Sequence, residues 1–79
     1  MMRKLERVLL TQDVPDEGLL RGDIGTIVLV HDGGVGYEVE FVALDGDTVA
    51  VVTLLASQVR RPQPGEIPHA RALAVPATC

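Results

Sequence analysis

Apolar and polar positions alternate most cleanly over residues 36–44, GYEVEFVAL, where Tyr37, Val39 and Phe41 share one side of an extended chain and Glu38 and Glu40 the other. The pattern predicts a strand that buries the first set and exposes the second. Just before it, residues 24–31 (IGTIVLVH) are β-branched and apolar on both faces, as in a strand covered fully on one side and partly on the other. Asp32-Gly33-Gly34 separates the two runs, and glycine supplies the positive φ angles that a short turn between antiparallel strands requires. Asp45-Gly46-Asp47 repeats that signal, and TVAVVTL at residues 48–54 then supplies a third strand of a meander.

The flanks are less regular. Residues 5–10, LERVLL, fit one helical turn or one strand, and their length and context favour the strand. TQDVPDEGLLRGD follows, with Pro15, Gly18 and Gly22 among acids, and predicts a loop of about a dozen residues closing in a tight turn at Arg21-Gly22-Asp23. Residues 54–57, LLAS, break the alternation as one tight helical turn, and residues 58–61 form a short closing strand. Five short strands with a long first loop, two hairpins and a turn before the last strand match an all-β fold, a small five-stranded SH3-like barrel over residues 1–61 whose closure hides its sheet edges. Beyond Arg61 come Pro62, Pro64, Pro68 and Pro76, with Gly65 and several alanines, so residues 62–79 read as an extended or disordered Pro-rich C-terminal tail.

Composition narrows the picture. Tyr37 and Phe41 are the only aromatic residues, so the core of this one 79-residue domain must be built mainly from Val, Leu and Ile. A formal net charge of −4 repels phosphate backbones and suits a basic protein partner. Cys79 is the only cysteine, which excludes an internal disulfide or a two-cysteine metal knuckle and fits a reducing, cytoplasmic setting. The start, MMRKLERVLL, is too charged and its apolar stretch too short for a signal peptide, and no run approaches the roughly 20 apolar residues of a membrane span.

The segment Arg21 to Val30, RGDIGTIVLV, resembles the glycine-centred turn and strand of the KOW modules and of other SH3-like barrels. Physically, Gly22 permits the turn, Asp23 can accept backbone N–H bonds within it, and Gly25 lets a strand bend or another chain pass closely. The wider stretch from Leu5 to Arg60 resembles DUF4926, a family of small bacterial proteins. The resemblance rests on Asp13-x-Pro15-x-x-Gly18-Leu19, Arg21-Gly22-Asp23-x-Gly25-Thr26-x-Val28, Tyr37-Glu38-Val39-Glu40-Phe41 and Thr53-Leu54-x-Ala56-Ser57-Gln58-Val59-Arg60. It implies a stand-alone SH3-like barrel and an accessory protein encoded beside small toxin-like or enzyme-like partners. It supplies no activity, and the tail lies outside it.

Candidate chemistry points to binding. Glu38 and Glu40, with Asp45 and Asp47 in the adjoining turn, predict an acidic surface able to steer and dock a basic protein, with Leu19 and Leu20 of the long loop as apolar anchors. A solvated face that merely keeps the chain soluble is the plainer alternative. Carboxylates at i and i+2 on an exposed strand lack the burial that would separate their pKa values for acid–base work. Ser57 has no evident His and Asp companions, and Cys79 lies on a loose end, so no nucleophile is expected. His31, His69 and Cys79 lack metal-ligand spacing, so neither metal nor cofactor is expected. The expectation is a non-enzymatic module that holds or inhibits a partner protein, antitoxin- or immunity-like. The alternatives are a KOW-like nucleic-acid binder using Arg21, Arg60 and Arg61, or a structural subunit of a larger complex.

Overall fold

The computed structural model of the chain describes residues 1–73. Its strands are β1 (Arg7–Leu10), β2 (Ile24–His31), β3 (Gly36–Val42), β4 (Thr48–Leu55) and β5 (Val59–Arg60). All pair antiparallel in one sheet of order β4-β3-β2-β1-β5. The meander β2–β3–β4 follows from the two glycine turns. The return of β5 to β1, through Leu9 opposite Arg60 and Leu10 opposite Val59, depends on the one-turn 3₁₀ helix Ala56–Gln58 that reverses the chain after β4.

The expected barrel closure is not present as a hydrogen-bonded ladder: among the described residues β4 and β5 stand at opposite edges of an open sheet. The two residues of β5, already paired to β1, leave little backbone to offer a second neighbour. Other boundaries shift for local reasons. β1 starts at Arg7, not Leu5, because Leu5 has a φ of 75°, a left-handed conformation that turns the chain before the strand begins. The long loop carries a 3₁₀ turn at Pro15–Glu17, where Pro15 presets φ and Gly18 ends the turn at a φ of 68°.

The core confirms the alternation. Tyr37, Val39 and Phe41 point inward with Val8, Leu10, Leu19, Ile27, Leu54 and Val59. Apolarity on both faces of β2 is reconciled by a bulge at Val28: Ile27 opposes Val39 inside, whereas Leu29 opposes Glu38 on the outer face. Gly25 sits where β2 passes closest to β3. A Cβ there would collide with Val39 Cγ1 and lie 3.0 Å from both the Glu40 carbonyl oxygen and Phe41 Cε2. The tight turn forms as expected, the Gly22 N–H donating to the Leu10 carbonyl (2.9 Å) and the Leu20 N–H to Asp23 Oδ2 (2.8 Å).

Residues 62–73 contain no helix or strand, as prolines dictate, yet they are not detached from the sheet. Leu9 is buried without joining the core cluster, and it lines a small cleft together with Ile24, Pro62, Ile67 and Pro68. The segment thus crosses the surface of β1 and β2 opposite the core.

Candidate functional site

Strand register assembles the acidic surface. Glu38 stands between Leu29 of β2 and Thr53 of β4, and Glu40 between Thr26 and Val51. Both carboxylates are half-buried by these neighbours, and each has a partner: Glu38 Oε2 lies 3.3 Å from His31 Nε2, and Glu40 Oε2 accepts the Thr48 hydroxyl at 2.8 Å. Asp45 and Asp47 are exposed in the following hairpin, where Asp45 Oδ1 accepts the Asp47 N–H at 3.0 Å. Because Thr48 directly follows Asp47, the four acids form one strip running down β3 and over its hairpin. Exposed apolar side chains, Leu29, Val42 and Val51, border the strip.

The two loop leucines part company. Leu20 is 45% exposed, whereas Leu19 is 2% exposed and packs in the core, so only Leu20 is presented on the open surface of the loop. The antiparallel bridge between Val14 and Leu19 turns that side chain inward. The three arginines do not make a free cationic patch either. Arg60 grips Glu66 in a two-pronged pair (2.8 and 2.7 Å), and Arg61 grips Glu6 (2.9 and 3.3 Å). Arg21 is placed by its backbone N–H, which donates to Asp13 Oδ1 at 2.8 Å. His31 serves Glu38, His69 lies in the tail, and Cys79 is outside the described residues. Among the described residues no three His, Cys, Asp or Glu side chains gather as a metal-binding group.

A second feature went unanticipated. Among the described residues three arginine–carboxylate ion pairs are present, and all three secure the chain after β5: Arg60–Glu66, Arg61–Glu6 and Arg71–Asp23. The Arg60 guanidinium, helped by the Gln63 N–H, holds the Glu66 carboxyl down at about 2. Arg61 and the Arg3 N–H likewise hold Glu6 below the ordinary carboxylate range. At Asp23 burial pushes the carboxyl up, but the Arg71 guanidinium and the Leu20 N–H outweigh it and hold it low. Arg71 Nε donates to Asp23 Oδ1 at 2.9 Å, a second guanidinium nitrogen binds Oδ2, and the same nitrogen reaches the Gly18 carbonyl at 3.3 Å. The only signal in the sequence was compositional: Arg71 is the sole Lys or Arg after residue 61.

Between this strap and the sheet lies a cleft of about 660 Å³. Leu19, Ile24, Phe41 and Val49 form one side, with Val42–Leu44 at the start of the hairpin, and Pro68–Leu73 form the other. Its walls are mainly apolar, and the charged groups at its rim, Asp23 and Arg71, are paired with each other.

These features define a small all-β protein, a five-stranded antiparallel sheet with an acidic strip on β3 and a strapped cleft beside the long loop. A family model described as "Domain of unknown function (DUF4926)" matches residues 4–61, and the chain belongs to that family. The match ends at Arg61, one residue past β5, so residues 62–73 lie beyond it. Searches of curated proteins and of solved structures find no match. No helix of the described residues is long and apolar enough to cross a membrane.

Proposed function

We propose that the chain is a non-enzymatic, cytoplasmic protein-binding module that docks a basic partner protein on the acidic strip of β3 and its hairpin and holds or inhibits it by occlusion, in the manner of an antitoxin or immunity protein. The observation that supports this most is the register: it aligns Glu38 and Glu40 on the outer face and continues them into Asp45 and Asp47, with Leu29 and Val51 beside them to bury on contact. Acidic groups steer a basic partner and set register, and the neighbouring apolar groups supply desolvated area. Leu20 is the loop anchor retained in this reading.

The scaffold is read as an SH3-like barrel with a strap. The strand order, the long loop between β1 and β2 and the 3₁₀ turn before β5 support that reading, as does the one core cluster that Leu54 of β4 and Val59 of β5 share although no ladder joins the strands. A KOW-like nucleic-acid binder is less well supported, since Arg60 and Arg61 are already neutralised by Glu66 and Glu6. A purely structural subunit would need neither the strip nor its charge.

The test is a pull-down with tagged full-length chain from its native lysate, with and without nuclease, repeated with the double variant Glu38→Lys, Glu40→Lys. A stoichiometric, nuclease-resistant partner with a basic surface, bound about tenfold or more weakly by the variant, is the expected result. A partner bound equally by both proteins overturns the assignment of the strip. Recovery of only nuclease-sensitive material favours the nucleic-acid alternative.

A further inference from the structure

The strap contributes little of itself to burial. Every residue from Arg61 to Ala72 is exposed, Ile67 at 86%, and Leu73 is half-buried. What fixes its far end is one polar contact, the Arg71 guanidinium seated on Asp23 and the Gly18 carbonyl, with Asp13 near enough to favour the cation further. On either side of Arg71 stand Ala70 and Ala72, whose methyl groups leave Val42, Leu44 and Val49 on the facing wall of the cleft exposed or half-buried. The sheet side of this cleft is therefore a groove with a carboxylate clamp for a guanidinium and apolar room beside it, occupied by a segment too small for it. A cleft of this volume and apolar character falls in the range of sites that recognise ligands.

We infer that the groove between the long loop and the β3–β4 hairpin is a binding site for an extended, arginine-bearing segment of a partner protein, with bulky apolar residues flanking the arginine, and that residues 67–73 occupy it in cis as a displaceable strap. Charge complementarity selects the occupant: Asp23 at the rim, with Asp13 nearby, calls for a guanidinium, which a planar fork satisfies with two parallel hydrogen bonds. Larger apolar side chains in place of Ala70 and Ala72 would cover Val42, Leu44 and Val49, which the strap leaves exposed or half-buried. The strap is tethered, so it competes at a high effective concentration and sets a threshold that a partner must exceed. The groove adjoins the acidic strip only at the β3–β4 hairpin, through Val42–Leu44; Asp23, Leu19 and Phe41 belong to the long loop and the inner face, whereas Glu38 and Glu40 are on the outer face. It stands whether or not the strip binds a partner.

The probe is a synthetic peptide of residues 67–73 with Ala70→Leu and Ala72→Leu, titrated into the full-length chain carrying Arg71→Ala and followed by backbone amide shifts. Saturable shifts at Leu19, Asp23, Phe41 and Val49, with Glu38 and Glu40 unmoved, are expected. Affinity for the wild-type chain should be at least about fivefold weaker, since its strap must first be displaced. Replacing the peptide's arginine with alanine should abolish binding. No binding to the Arg71→Ala chain, or equal binding with and without the peptide's arginine, overturns the proposal. A peptide-free Arg71→Ala chain or wild-type chain that dimerises by exchanging straps overturns it in favour of a second copy as occupant. Because the readout is confined to the groove, it is unaffected by Glu38→Lys and Glu40→Lys and separates failure here from failure of the strip.

Discussion

The sheet and the strap are held by opposite kinds of force. From Val8 to Val59 the chain is secured by apolar side chains removed from water, Ile27 and Val39 completely so, and by ladders of backbone hydrogen bonds. From Arg60 to Leu73 it is secured by carboxylate–guanidinium pairs, with almost no apolar side chain covered. Burial is indifferent to salt and mild acid, whereas ion pairs at a surface are screened by salt and lost on protonation. One chain thus carries a cooperative body and an appendage whose attachment can be changed without unfolding it.

That contrast can be broken from the body's side. Ile27→Ala empties a fully buried site and should cost about 3 kcal/mol in urea denaturation. A cost below about 1 kcal/mol would mean the core repacks freely. Gly25→Ala should cost about 2 kcal/mol, because the methyl group meets Val39 and the Glu40 carbonyl, and the carbonyl cannot move without disturbing β3. Leu5 gives a change of opposite sign: at a φ of 75° and well exposed, it gains nothing from its side chain, so Leu5→Gly should raise stability by about 0.5 kcal/mol.

The strap responds to different agents. The Glu66 carboxyl is held at about 2 against an ordinary 4.5, so its pairing with Arg60 contributes fully above about pH 4.5 and is lost as pH falls through about 2. A carboxyl titration followed by NMR should find its midpoint near 2, and a midpoint near 4.5 would mean that Arg60 does not hold it in solution. Smallest in its effect on unfolding, Arg71→Ala should leave the denaturation midpoint nearly unchanged while lowering the backbone heteronuclear NOE of residues 69–73. A fall in midpoint comparable to that of Gly25→Ala would erase the distinction between body and strap.

Much of the body was legible because its signals are local. Alternation at Tyr37, Val39 and Phe41 named the inner face of β3, and the glycine turns at Asp32–Gly34 and Asp45–Asp47 named both hairpins. The acidic strip followed from the same alternation. Leu19 and Leu20 look alike as adjacent leucines in a loop until the Val14–Leu19 bridge decides which one turns inward. The Asp23–Arg71 pair spans 48 positions, and no local pattern connects a turn aspartate with a lone arginine among alanines.

By itself the sequence determined which segments are extended, where the chain turns, which face of β3 is apolar and that residues 62–73 form neither helix nor central strand. These follow from side-chain period, glycine and proline, which act over a few residues. Only the tertiary structure decided that the sheet stays open between β4 and β5, that the Val28 bulge sends Leu29 outward, and that the strap lies across β1 and β2. Each of these depends on groups distant in sequence meeting at particular distances, and pairings of that kind are set by packing and charge in three dimensions.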